Sequence, residues 1–213
     1  MGVNALARLP AVVDVLASLD TRPRTTLDNA VRGVREAGLV QTTKRGRGAA
    51  EMTPLDAAIL LLGVYGTDQA VRAPQAASRF SGLPRMTESL LPKILARVAS
   101  AKTLGEAVAA LIEASRTHAA PTLEVASWLE LGAPAQPAKM DGEFAAQLLL
   151  HRPHGWAELR IVWQPVVGRR PTREVLVFGR PPESPEAASF TASLGPTVFM
   201  RLHETLFPLV PVV

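Results

Sequence analysis

The chain has 213 residues, 47% of them hydrophobic and 20% charged, so it can bury a core and is not expected to be disordered as a whole. Its longest apolar run, residues 57–64, is too short to cross a bilayer, residues 1–20 lack a signal-peptide pattern, and the absence of cysteine excludes disulfides, so we expect a cytoplasmic protein. The net charge of +4 arises entirely between residues 21 and 53, the kind of local basic excess that polyanion-binding surfaces show.

Two amphipathic helices are predicted first. Apolar residues spaced by three and four predict a helix that begins near Pro10. A second helix is predicted from about Thr25 to Ala37, with Thr25 or Thr26 as its N-cap and Gly38 as the left-handed residue that ends it. Its buried stripe is predicted to be Leu27, Ala30, Val31 and Val34. Its exposed face is predicted to be Thr25, Asn29, Arg32, Gly33 and Glu36.

A basic, glycine-containing loop follows. Residues 39–43 and 49–53 are predicted as two short strands around a "KRGRG" turn, in which the glycines can take positive φ. Thr53, Pro54 and Asp56 then supply an N-cap, a first-turn proline and a capping-box acid. The helix that they begin, about Pro54 to Tyr65, is apolar nearly all round and is therefore predicted to lie in the core.

Further helices with breaks are predicted from Asp68 to Ser115. Pro74 limits one helix, and residues 86–100 are predicted to form another that is kinked at Pro92. A third is expected to begin at Thr103, because Glu106 completes a capping box.

The pattern changes to strands near residue 118. Four strand-length runs, residues 122–131, 143–152, 156–165 and 173–181, are separated by turns that contain proline or glycine. In the third run Glu158 and Arg160 alternate with apolar residues, which predicts a half-buried sheet whose inward residues are Ala157, Leu159, Ile161 and Trp163. A last helix is expected from residues 195–196 to Phe207, with inward residues Val198, Leu202, Thr205 and Leu206.

The order of the first elements is that of a winged helix-turn-helix. We therefore predict an α+β protein in which residues 1–66 form this DNA-binding region and residues 67–117 form a helical connector. Residues 118–213 are predicted to form a small, mostly antiparallel sheet with a C-terminal helix, used for dimerisation or for binding a partner. In this arrangement the second helix reads the major groove and the basic loop is a wing on the phosphate backbone.

The same stretch resembles a family. Residues 25–64 contain "REAGL", "GRG", "MTP" and "DAA" in the order found in the N-terminal region of uncharacterised alphaproteobacterial phage and prophage proteins. The resemblance covers about a fifth of the chain and implies DNA binding and a mobile-element origin, without an enzyme activity. The turn "TTKRGRG" departs from the expected "GGRG" by one additional basic residue.

The predicted DNA-binding residues lie before, on and after the second helix. They are Arg22, Arg24, Thr25, Thr26, Asn29, Arg32, Lys44, Arg45 and Arg47. The alternatives are a surface ion pair between Arg32 and Glu36, and a solvated turn at residues 22–24. No catalytic motif is recognisable, and His151 and His154 are expected to lie in a surface turn without a third metal ligand, so no enzyme, metal or cofactor is predicted.

The predicted function is that of a prophage-type transcription regulator, a homodimer on double-stranded DNA. One alternative is a phage DNA-packaging or assembly protein, a terminase small-subunit-like oligomer with low sequence specificity. Another is a protein-interaction module on a winged-helix fold, with the C-terminal sheet or the apolar tail, residues 207–213, as the docking site. No membrane partner is expected.

Overall fold

The computed structural model describes residues 9–41, 52–115, 144–152, 154–163, 172–182 and 190–207, and over these residues the fold is α+β. The described part contains seven helices: α1 (Leu9–Ser18), α2 (Arg24–Glu36), α3 (Pro54–Tyr65), α4 (Ala73–Ser81), α5 (Ala96–Ser100), α6 (Leu104–Ala114) and α7 (Pro196–Leu206). It also contains four strands: β1 (Phe144–Arg152), β2 (Trp156–Trp163), β3 (Thr172–Phe178) and β4 (Phe190–Leu194). No described helix is both long enough and apolar enough to span a bilayer.

Helix α2 has the predicted stripe but not the predicted N-cap. Its buried residues are Leu27, Ala30, Val31 and Val34, and Gly38 ends it with φ +72°. The helix begins one residue early because the Pro23 carbonyl accepts from the backbone amide of Thr26, and no side chain caps it. Thr25 and Thr26 are therefore helical residues, and the prediction that one of them is the N-cap was wrong.

Helix α3 is the central helix, as predicted. The Thr53 hydroxyl and the Asp56 carboxylate form the capping box, and the residues from Asp56 to Val64 are buried except Ile59, which is partly buried. Gly63 allows its neighbours to approach, since a Cβ there would lie 3.0 Å from Val34 of α2 and 3.0 Å from Ala77 of α4. Gly33 was predicted to lie on the exposed face of α2, but it is half-buried because it lies against Pro74.

Residues 86–92 are not helical, contrary to the prediction. The backbone amide of Met86 donates to the Val177 carbonyl at 2.8 Å, and the Val177 amide donates to the Thr87 hydroxyl at 3.1 Å. This segment therefore satisfies backbone groups on the edge strand β3, which a helix could not do. Only a 3₁₀ turn, Lys93–Leu95, and the short helix α5 follow.

The sheet is antiparallel, with strand order β3-β2-β1-β4. Its register places Leu148 opposite both Leu159 and Leu194, and these belong to the face that joins the main core. The other face also contains buried residues, Ala145 and Val162, beside the half-buried Glu158 and Arg160, so the sheet is more buried than expected. Strand β4 was not predicted, and the first predicted run, residues 122–131, lies outside the described residues.

Helix α7 joins the sheet to the helices. It follows β4 and packs on α1, α6 and β1. Phe199 and His203 are buried on it, whereas Thr205, predicted to face inward, is half-exposed. The described residues therefore surround one continuous core, to which residues from α1 to α7 contribute.

Candidate nucleic-acid interface

The outward face of α2 is presented by a helix that is anchored on its other side. Thr25, Asn29 and Arg32 are exposed, and Thr26 is half-buried. The opposite stripe is buried, with Val34 fully excluded from solvent. Because the stripe locks the rotation of the helix, the outward side chains have a defined direction, which base reading in a groove requires.

The side chain of Arg22 is mostly buried and is held by hydrogen bonds within the protein, so it is not an exposed cation. Its guanidinium donates to both carboxylate oxygens of Asp20 and to the carbonyls of Val64 and Thr67, at 2.9 and 3.1 Å, and lies 5.6 Å from the centre of the Tyr65 ring. Burial alone would raise the pKa of Asp20, but the hydrogen bonds from Arg22 and its positive charge together outweigh burial and leave that pKa lowered. Burial also raises the pKa of Tyr65 to about 12.

The two arginines on α2 that were predicted to contact DNA lie in exposed ion pairs. Arg24 donates to Asp14 at 2.6 Å and to Asp28 at 3.0 Å, so it links α2 to α1. Arg32 donates to Glu36 at 2.7 Å, the alternative that the spacing allowed. These pairs are largely solvent-exposed, so each adds little stability and a phosphate can replace the carboxylate at low cost.

Arg35 is a cation that was not among the predicted site residues. It is exposed in the last turn of α2, and within the described ranges it forms no ion pair. Its position in the sequence, three residues after Arg32 and beside the buried stripe, was the available signal.

The basic segment, which we define as residues 42–51, lies outside the described residues, and so do Lys44, Arg45 and Arg47. The described ends of the two predicted strands, residues 39–41 and 52–53, are not strands. The reason is that the Gln41 amide donates to a side chain, Asp56 Oδ1, at 3.2 Å instead of to a partner strand.

Asp56 accepts hydrogen bonds from the described residues on both sides of the basic segment. Its Oδ1 accepts from the Gln41 amide, and its Oδ2 accepts from the Thr53 amide at 3.0 Å and from the Thr53 hydroxyl at 2.6 Å. Val40 and Met52 are buried on either side. The residues on either side of the segment, Gln41 and Thr53, are therefore bonded to one buried carboxylate at the N-terminus of α3. The capping box was predicted from the sequence, whereas the bond from Gln41 was not.

The two histidines of the β1–β2 hairpin do not form a metal site with other described residues. The ring of His151 stacks on Trp156 with 3.7 Å between ring centroids, and its Nδ1 lies 3.2 Å from the Thr191 hydroxyl. Burial lowers the pKa of His151, against the opposing effect of Glu158. Over the described residues no three acidic or histidine side chains lie close enough to hold a metal ion.

Comparison of the chain with models of known protein families, with curated proteins and with solved structures gives no match.

Proposed function

We propose that the protein binds double-stranded DNA and acts as a prophage-type transcription regulator with a winged helix-turn-helix. In this proposal α1 and α2 are the helix-turn-helix pair, the outward face of α2 enters the major groove, and the basic segment is the wing. The observation that carries the proposal is the set of hydrogen bonds at Asp56, because Gln41 and Thr53 both donate to this carboxylate and the sequence between them contains three cations.

The contacts divide the predicted residues by role. Thr25 and Asn29 have exposed side chains and are assigned to base edges. Arg24 and Arg32 are assigned to phosphates, since their exposed carboxylate partners can be replaced. Arg22 is given a supporting role because its donors are already occupied.

The charge distribution supports the same face. Between residues 21 and 53 there are seven basic and three acidic side chains, and this excess equals the net charge of the whole chain. Ion pairs neutralise Arg24 and Arg32, two of the three arginines on α2. The remaining excess of positive charge therefore falls on Arg35 and the basic segment. Phosphate contacts of this kind make affinity steeply dependent on salt.

The first test is the binding of genomic DNA fragments and of random duplex to the full chain at several salt concentrations. Replacing Lys44, Arg45 and Arg47 together by Ala should flatten the slope of log affinity against log salt by about 2 to 3. The control replaces Lys93, Arg97 and Arg173, three exposed basic residues elsewhere, and should leave the slope unchanged. Equal slopes in both triple variants, or no binding by the parent protein, would refute the proposal.

Sequence preference and solution mass separate the regulator from its alternatives. A regulator should select a palindromic site as a homodimer, and Asn29→Ala should reduce that preference without changing the salt slope. Steep salt dependence with no preferred site and a ring-sized oligomer would favour DNA packaging instead. Protein capture without any DNA binding would favour an interaction module.

A further inference from the structure

A cavity of about 250 Å³ lies between the turn that joins α1 to α2, the residues that end and follow α3, and strands β1 and β4. Sites for drug-sized ligands in proteins have volumes of about 300 to 1000 Å³. The cavity therefore suits a molecule that is smaller than these ligands.

Charged side chains of both signs line this cavity in equal number. Two are acidic, Asp20 and Asp68, and two are basic, Arg22 and Arg152. Asp20 is bonded to Arg22, and Arg152 Nη1 donates to Asp68 Oδ1 at 2.7 Å. Because the lining is balanced in charge, it favours a ligand that carries one charge of each sign over a plain anion or cation.

The two ion pairs differ in the bonding capacity that they leave for a ligand. Arg22 also donates to the carbonyls of Val64 and Thr67, and the side chain of Asp20 is only 6% exposed, so this pair is closed. The side chain of Asp68 is 75% exposed, and its Oδ2 accepts no hydrogen bond from the residues that the structure describes. Asp68 can therefore accept from a cationic group in the cavity.

Arg152 has donors that its partner does not use. Over the described ranges it donates one hydrogen bond, to Asp68, although a guanidinium carries N–H groups on all three nitrogens. Its Nε is buried without an acceptor. A buried donor that lacks an acceptor is costly, and a carboxylate matches the planar donors of a guanidinium. Arg152 is therefore the residue that suits a carboxylate in the cavity.

We propose that this cavity binds a free α-amino acid with a small apolar side chain. Its carboxylate contacts Arg152 and its ammonium contacts Asp68, and the bond between these two residues already holds them side by side. Leu19, Ala192 and the ring of Tyr65 supply apolar lining for the side chain. This inference is independent of the proposed DNA binding, because no lining residue lies in the basic segment or on the outward face of α2.

The first test titrates the full chain with L-valine and follows backbone amide chemical shifts by NMR. L-Valine should bind saturably with a Kd of about 1 mM or tighter, and the largest shifts should fall in residues 19–22 and 65–68. Two analogues each lack one charge, since isovalerate has no ammonium group and L-valinamide has no carboxylate. Each should bind at least about 10-fold more weakly, because it loses a charged hydrogen bond.

Variants of the two partners assign the two ends of the ligand. Asp68→Asn should weaken L-valine binding about 10-fold without weakening that of isovalerate, which has no ammonium group for Asp68 to contact. Glu88→Gln replaces another exposed acid by its amide and should bind L-valine like the parent protein. Arg152→Lys keeps the charge but loses the planar donors, so it should weaken L-valine binding about 10-fold, whereas Arg173→Lys on β3 should not.

Several results would each overturn the inference. They are no saturable binding of L-valine, equal affinity for L-valine and either analogue, and largest shifts outside the residues that line the cavity. Equal affinity of the Asp68→Asn and Glu88→Gln variants for L-valine would also refute it, and so would an equal loss of L-valine and isovalerate binding in Asp68→Asn. Asp68 is exposed, so its replacement tests the site even where Arg152→Lys lowers stability.

Discussion

Several arginines lie around α2, and three more, Arg72, Arg79 and Arg152, line a recess beside the β1–β2 hairpin. The two regions differ in how far along the chain the arginines lie from their acidic partners. Around α2 the acidic partners lie within ten positions of their arginines: Asp20 pairs with Arg22, Asp14 and Asp28 with Arg24, and Glu36 with Arg32. In the recess Asp68 and Arg152 pair across 84 positions. Basic charge counted along a chain is therefore partly cancelled by local partners, whereas arginines that are far apart in the sequence can meet in one recess.

The largest expected effect comes from loss of the Asp56 carboxylate, which accepts the local hydrogen bonds of the capping box and a more distant one from the Gln41 amide. Asp56→Ala should lower the free energy of unfolding by about 3 kcal/mol, because it removes a capping box and leaves the Gln41 amide without its acceptor. The control, Glu106→Ala, removes the same motif from α6 at an exposed position and should cost about 1 kcal/mol. Urea unfolding of both variants provides the measurement. Equal losses would mean that the bond to Gln41 contributes nothing.

A second, smaller effect tests the packing of the recess. Gly155→Ala should lower the free energy of unfolding by about 2 to 3 kcal/mol, since it combines a left-handed backbone with the displacement of Arg79. Gly38→Ala is the matched control, because Gly38 has φ +72° and open space around it, and it should cost about 1 kcal/mol. Thermal and urea unfolding measure the difference. If the two variants are equally stable, Arg79 is not held by the hairpin.

The smallest effect compares two arginines that both pair locally. Arg22→Met should lower the free energy of unfolding by about 1 to 2 kcal/mol, because Asp20 and two backbone carbonyls lose their donor. Arg32→Met should change it by about 0.3 kcal/mol, since its pair with Glu36 is exposed. Urea unfolding at low and moderate salt is the measurement. A larger loss for Arg32→Met than for Arg22→Met would reverse the roles assigned to them.

Predictions based on periodicity and capping succeeded where local contacts decide the structure. The buried stripe of α2, the left-handed Gly38 and both capping boxes are consequences of side chains three or four residues apart. The helix predicted over residues 86–100 was wrong over residues 86–92. This segment instead forms backbone hydrogen bonds with the edge strand β3, which follows much later in the chain. The N-cap of α2 was wrong because the Pro23 carbonyl starts the helix before either threonine.

The candidate interface was only partly predictable for the same reason. Spacing indicated that Asn29 and Arg32 face outward, and it allowed the pair between Arg32 and Glu36. It gave no sign that Arg22 would reach the carbonyls of Val64 and Thr67, which lie more than forty positions away. The role of Arg22 therefore follows from the packing of α3 against the turn before α2.

By itself the sequence determined the positions of most helices, three of the four strands, and the concentration of basic residues before position 54. Those features depend on contacts between neighbours or on composition, which a linear pattern records. The tertiary structure alone decided which arginines are neutralised, that Asp56 ties Gln41 to α3, and that Arg72, Arg79 and Arg152 meet in one recess. These contacts join residues that come together only when the apolar faces of the helices and the sheet are buried in a common core.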